Sequence, residues 1–265
     1  MDGLKLSVME QLAQARIAVW QGGSLWLLNT SRPSPGLAPR TGFHAHHAVQ
    51  LVFSLGGEFR LWLTDRDLSD RYVAVAPDAL HRFDATGAYA ILFVEPESRA
   101  GRAIIAATFG DGDLCSLSAA RVDRIRDQLT ALGRTPPPSI DELESLGRDM
   151  IERLAGDDHH GAIDARIQTL VAWAAQEHDK PVTLGMAAQI AGLSPSRLSH
   201  LFVEQTGLSF KTYLLWVRLT RAVGLMAEEQ TLTAAAYGAG FSDSAHFSRT
   251  FRRMFGIAPA NLALV

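Results

Sequence analysis

Between Trp20 and Val94 the apolar residues come in short bursts: SLWLLN, VQLVFSL, EFRLWLT, RYVAVAP and YAILFVE. Each is rich in β-branched and aromatic side chains, and Gly22-Gly23, Gly56-Gly57, Pro77-Asp78 and Thr86-Gly87 fall between them as turn residues. Short runs punctuated this often predict strands of a small antiparallel sandwich or barrel. From Ser118 the spacing becomes helical. AARVDRIRDQLTAL puts Val122, Ile125 and Leu129 on one face, and Pro136-Pro137-Pro138 stops that helix. Ser139 then caps IDELESLGRDMIERLAG, where Ile140, Leu143, Leu146, Met150 and Leu154 keep the period. Two amphipathic helices in this place either pack on the β region or pair with a second subunit. Asp157 to Gly161 reads as a polar linker.

The last hundred residues read as helix throughout. One helix runs from about Asp164 to Glu177. Thr183 caps LGMAAQIA, Gly192 turns, and Ser194 with Pro195 opens PSRLSHLFVEQT, which Gly207 closes. Ser209 opens a long helix, Phe210 to Met226. Thr233 caps an Ala-rich helix, Gly240 turns, Ser242 or Asp243 caps SAHFSRTFRRMF, and Gly256 ends it. The turn-to-end segments AGLSPSRLSHLFVEQTG and AGFSDSAHFSRTFRRMFG align without a gap, pairing Ala191 with Ala239, Gly192 with Gly240, Leu198 with Phe247, Phe202 with Phe251 and Gly207 with Gly256. Two copies of helix, glycine turn, helix predict two helix-turn-helix units, the second helix of each entering a DNA major groove.

The second copy, GFSDSAHFSRTFRRMFGIAPANL, resembles the signature segment of the AraC/XylS family of bacterial regulators, with Phe241, Ser242, Phe247, Arg249, Phe251, Gly256 and Pro259 in place. The resemblance implies two recognition helices joined by the long helix and set one DNA turn apart, roughly 34 Å. With Leu198, Leu201 and Phe202 inward, Ser196, Arg197, Ser199 and His200 are left for the groove. With Phe247, Phe251 and Phe255 inward, Ser244, Ala245, Ser248 and Arg249 are, with His246 nearby. Arg249 suits either a guanine edge or a phosphate; Arg252, Arg253, Lys211 and Arg218 suit phosphates or open solvent. Serines and alanine make few strong base contacts, so DNA shape, water and dimer contacts are expected to add specificity. The tail Asn261 to Val265 lacks the basic residue that commonly follows this motif. The family leans toward activation, which would add RNA polymerase to the partners.

Charge changes this picture little. The chain carries −3 overall, while the part from Ile163 onward carries +2 and the rest −5, an asymmetry compatible with DNA binding at one end. Cys115 is the only cysteine, so no intramolecular disulfide forms. The start of the chain shows no signal peptide, and no run of eighteen apolar residues occurs, so a cytoplasmic protein without a membrane span is expected.

The resemblance further implies a cupin-like sensor in the β region. Its marks are His44-Ala45-His46-His47, Gln50, Gly56 and Pro77-Asp78-Ala79-Leu80-His81. In metal-binding cupins two alternate histidines, a carboxylate and a later histidine converge inside the barrel. His44 and His46 would point the same way, with His81 as third nitrogen. Here Gln50 replaces the carboxylate and Ala79 the usual glycine. Three readings stay open: a small organic effector held by His44, His46, Gln50 and His81 in an apolar pocket, a divalent metal on His44, His46 and His81, or structural histidines.

The expected architecture is two domains: a mainly-β cupin-like barrel or sandwich for sensing and dimerisation (1–110), linking helices (111–160), and an all-α DNA-binding domain with two helix-turn-helix units (161–265). The expected function is an effector-responsive, dimeric transcription regulator without catalytic residues. Its rivals are a metal-dependent cupin enzyme carrying a DNA-binding tail, and a dimeric regulator with no effector.

Overall fold

The computed structural model describes residues 13–30, 41–156, 163–176 and 182–265. The linker expected at 157–161 lies outside them, as does the end of the helix expected to reach Glu177.

The β region is one curved sheet: β1 (Ala13–Trp20), β2 (Gly23–Thr30), β3 (Val49–Ser54), β4 (Glu58–Trp62), β5 (Asp67–Leu68), β6 (Tyr72–Val75), β7 (Arg82–Val94) and, beyond helix α1 (Arg99–Thr108), β8 (Leu114–Ser116). Its order is β8-β6-β3-β7-β2-β1, with β4 and β5 joined through β7. Thr86-Gly87 is not a turn. It lies inside β7, where Gly87 takes φ +78° as the strand changes partners from β4 to β2 and β3. A glycine at positive φ lets a strand bend without steric cost, which is why local sequence alone reads it as a break. The sheet also starts earlier than expected, since β1 precedes Trp20.

Both faces of the sheet are covered, and β3 is buried at every position. Val49, Leu51, Phe53, Ala90, Leu92 and Val94 face an outer layer of helices, where Ile104, Ile125, Leu143, Met150 and Leu154 meet them. This layer holds α1, α2 (Ala119–Arg124), α3 (Arg126–Leu132) and α4 (Ile140–Ala155). The single helix expected over 119–132 is two, broken at Ile125, which is itself fully buried. Helix α1 escaped the sequence reading, which placed the first helix after Ser118. Ser139 caps the helix as expected, and with Glu142 it forms a capping box, but Ile140 is exposed rather than part of the apolar face. Helix α4 lies flat on β1 and β2 because residue 147 is glycine; a Cβ there would sit 2.3 Å from the Trp20 ring. Of the two expectations for these helices, packing on the sheet is what the structure shows.

The helical region contains α5 (Ala165–Ala174), α6 (Leu184–Ile190), α7 (Pro195–Thr206), α8 (Phe210–Ala227), α9 (Leu232–Gly238) and α10 (Ser244–Phe255). Side-chain caps open each copy of the repeat. Thr183 starts α6 and Ser194 starts α7; Thr231, not Thr233, starts α9, and Asp243 starts α10. Gly192, Gly207, Gly240 and Gly256 all take positive φ, the left-handed geometry that ends a helix. The copies do not align without a gap. Ser194 follows Gly192 by two residues and Asp243 follows Gly240 by three, so the second turn is one residue longer. Nor is the end of the chain helical: β9 (Leu262–Leu264) runs parallel to β1 and extends the sheet.

The two copies are packed differently. Around the first, Ile167, Leu170, Leu198, Phe202, Phe210 and Tyr213 form a core of their own. Around the second, Phe247, Phe251, Phe255 and Trp216 belong to the same cluster as Trp26, Ile91 and Phe93 on the inner face of the sheet. Ring centroids are 5.1 Å apart for Trp26 and Phe255 and 5.7 Å for Phe93 and Phe255, within range for favourable aromatic pairing.

Candidate nucleic-acid interface and histidine cluster

Each second helix of the repeat buries one stripe and exposes the other. On α7, Leu198, Leu201 and Phe202 are buried, while Ser196, Arg197 and His200 are exposed. Ser199 is half-buried and its hydroxyl donates to the Pro195 carbonyl (2.9 Å). On α10, Ala245, Arg249, Arg252 and Arg253 are exposed, with Ser244, His246 and Ser248 half-buried. Lys211 is exposed in the first turn of α8. Among the described residues none of Arg197, Lys211, Arg249, Arg252 and Arg253 forms a salt bridge, so their charge faces outward. Lys211 and Arg253, together with Arg218 and His246, also line a cleft of about 890 Å³. Its opposite wall is Phe43, His44, His47, Asp78 and Leu80 of the β region.

Behind that cleft the structure brings His44, His46 and His81 together. All three are buried, and one ring nitrogen from each lies within 4.8 Å of the others. An isolated bridge pairs His44 with His81, and a two-residue step carries the chain from His44 to His46. In each ring Nδ1 meets a backbone carbonyl: Gly42 for His44 (2.8 Å), Ala48 for His46 (3.0 Å) and Ala79 for His81 (2.8 Å). A carbonyl only accepts, so each Nδ1 carries the proton and each Nε2 keeps its lone pair. Burial, followed by the neighbouring imidazoles, lowers the His44 pKa to about 4 and that of His81 well below the ordinary value. Burial likewise lowers His46, against the pull of its hydrogen bonds. The three rings are therefore neutral.

Gln50 Oε1 is 2.8 Å from His46 Nε2. A neutral ring already donating through Nδ1 cannot donate there too, so the contact is satisfied with the amide turned and its NH2 donating. His81 Nε2 and Trp216 Nε1 are buried without a hydrogen-bond partner among the described residues. Three neutral imidazoles grouped this closely fit a divalent transition metal, provided that the Gln50 amide gives up the His46 Nε2 lone pair to it. Bonds of about 2.1 Å suit nitrogens that already lie within 4.8 Å of one another. The carbonyl brace on each ring is the outer hydrogen bond that ligating histidines commonly make.

His47 takes a different role, which the sequence did not disclose. Its Nε2 is 2.9 Å from Glu97, and its Nδ1 lies 3.8 Å from Asp78, beyond hydrogen-bond length. Burial opposes its charge, but Asp78 and Glu97 outweigh burial and raise it to about 9. Glu95 close by is pushed up to about 8 by burial and then by Glu97, His47 opposing. The signal for this pair was present: Glu95 and Glu97 directly follow an apolar strand. Also missed was the roof over the histidines. His46 faces Trp216 of α8 (6.4 Å) and Phe255 of α10 (6.2 Å) between ring centroids. Gly256 packs so closely that a Cβ there would sit 2.6 Å from His44 Nδ1.

A curved sheet joined to two linked helix-turn-helix units makes a helix-turn-helix module fixed to a β-rich domain. Residues 187–263 match the model of a helix-turn-helix domain family. The chain is 28% identical over 153 residues to YpdC, an uncharacterised HTH-type transcriptional regulator of Escherichia coli, covering 55% of this chain and 53% of that protein. It is 34% identical over 110 residues to the HTH-type transcriptional activator RhaS of Escherichia fergusonii, covering 41% of this chain and 38% of RhaS. The chain thus matches about half the length, or less, of these curated relatives. In fold it is similar to ToxT from Vibrio cholerae, with TM-score 0.53, 12% identity, and coverage of 91% of this chain and 97% of ToxT. A ToxT structure with bound unsaturated fatty acid gives TM-score 0.53 at 13% identity, covering 91% of this chain and 94% of that one. The match to the helix-turn-helix family thus falls in the C-terminal part of the chain. No described helix is long and apolar enough to cross a membrane.

Proposed function

We propose that the chain is a sequence-specific DNA-binding transcription activator that answers to an effector bound in its cupin-like β domain. The observation that carries this reading is the matched pair α7 and α10. Both start on a side-chain cap, end on a left-handed glycine, bury one stripe and present a polar, partly basic face. Ser196, Ser199 and His200 on one helix, and Ser244, Ala245, Ser248 and Arg249 on the other, read base edges. Arg197, Lys211, Arg252 and Arg253 hold phosphates, which fixes register without reading sequence.

The effector site is the group His44, His46, Gln50 and His81 behind the cleft. An occupant there touches the β domain and the second helix-turn-helix unit together. It therefore has unequal affinity for arrangements that differ in how the two sit, which is what a regulatory ligand needs. The chain works as a homodimer on tandem half-sites and contacts RNA polymerase as an activator; the relatives reported above carry the names of transcription regulators.

Selection from random duplexes by the full chain tests the reading. Bound sequences are expected to share two short determinants about one turn apart, with affinity falling as salt rises. Absence of enrichment at low salt would overturn it.

A further inference from the structure

The histidine cluster and the DNA-binding domain are not merely neighbours. Phe255, Trp216 and Gly256 close the site from the helical side. A backbone relay joins the two: His44 Nδ1–H donates to the Gly42 carbonyl, and the Gly42 N–H donates to the Gly256 carbonyl (2.8 Å). Gly256 is the residue that ends α10. A cation on His44 Nε2 would acidify the Nδ1–H and strengthen the first bond of that relay, stiffening the segment that holds the end of the helix. His81 Nε2 and Trp216 Nε1 are both buried without a hydrogen-bond partner among the described residues.

We propose that the second helix-turn-helix unit is the roof of a three-histidine transition-metal site, and that metal on His44, His46 and His81 holds this unit against the sheet. The effector of the regulator is then a divalent ion such as zinc or cobalt, which displaces the Gln50 amide from His46 Nε2. This rests on the regulator reading for its meaning, but binding and clamping are measured without DNA. Three neutral nitrogens leave an open metal position, and a small cavity of about 60 Å³ lies beside His44 and Gln50. Trp26, Phe93, Phe255 and Leu262 are among the residues that line it.

The test uses the full chain, expressed without a histidine tag and stripped with chelator. Cobalt(II) and zinc(II) are titrated by calorimetry, with the visible spectrum of cobalt recording its ligands. Hydrogen exchange is then read over residues 250–264. One ion per chain is expected, with visible bands typical of low-coordinate cobalt. His81→Ala should weaken binding at least a hundredfold, and Gln50→Glu should tighten it about tenfold. His178→Ala should leave metal binding unchanged, which separates the cluster from the chain's other histidines. Metal should slow exchange in the last turn of α10 and in β9. Binding unaffected by His81→Ala, or no binding, overturns the site. Tight binding that leaves exchange over 250–264 unchanged overturns the clamp. DNA selection by the stripped protein judges the regulator reading separately.

Discussion

The two helix-turn-helix units share one local design and live in different surroundings. The first is self-contained: Leu198, Phe202, Phe210 and Tyr213 close a core with α5 and α6. The second has no such closure. Its Phe251 and Phe255 complete the inner face of the sheet, β9 adds a strand to that sheet, and Gly256 is bonded to Gly42. Equivalent sequence patterns thus build one unit with a core of its own and one that shares its core with the β domain. On the proposed reading, an effector in the β domain acts on the second unit directly and on the first through α8.

The sharpest way to break this comparison is to truncate the matched aromatic of each unit. Phe202→Ala and Phe255→Ala should each cost about 3–5 kcal/mol, the usual range for a buried phenylalanine. The damage should differ in place. Hydrogen exchange should rise over α5 to α7 for Phe202→Ala, but over α10, β9 and β1 for Phe255→Ala. Identical patterns would mean that the two units share one core.

Removing residues 262–265 comes next. It deletes the β9 pairing and the bond from Val265 N–H to Ala15 O, worth about 1 kcal/mol per lost hydrogen bond. Exchange should rise in β1 while α6 and α7 stay protected. On DNA, Arg249→Ala should cost about 1–3 kcal/mol if it reads a base, relaxing specificity at one position. Lys211→Ala should weaken all sequences alike and lower the salt slope by about one. Competition binding at several salt concentrations separates the two.

The smallest effect concerns Glu142. Its hydrogen bonds with Arg134 and then the Ser139 backbone hold the carboxyl at about 2 instead of 4.5. A depressed carboxylate stabilises the fold fully above pH 4.5 and loses that contribution as pH falls through 2. The melting-temperature gap between wild type and Glu142→Gln should therefore close over that window.

Much of the helical end was legible because helix starts and stops are local chemistry. Ser194, Pro195, Gly207, Ser209 and Gly256 announced their roles through caps and backbone preference alone. Thr231 was passed over for Thr233 because both precede the same alanines. The grouping of His44, His46 and His81 was readable from alternation and from the family resemblance. What stayed hidden was non-local. Nothing near Phe255 says that its ring meets Trp26, and nothing near Leu262 says that it pairs with Ala13. Gly87 looked like a turn because only the sheet reveals that the strand continues. The His47–Glu97 pair joins residues fifty positions apart, where only the misplaced carboxylates hinted at it.

The most direct test of the account is helical phasing. From a duplex bound by the full chain, variants are made with five or ten base pairs inserted between its two determinants. On the proposed function, two recognition helices joined by α8, one of them packed on the β sheet, must meet grooves on one DNA face. The account predicts that a half-turn insertion lowers affinity by more than tenfold and removes the footprint over one determinant. Binding that is indifferent to a half-turn would contradict it, because the two units would then read DNA independently or only one would read it at all.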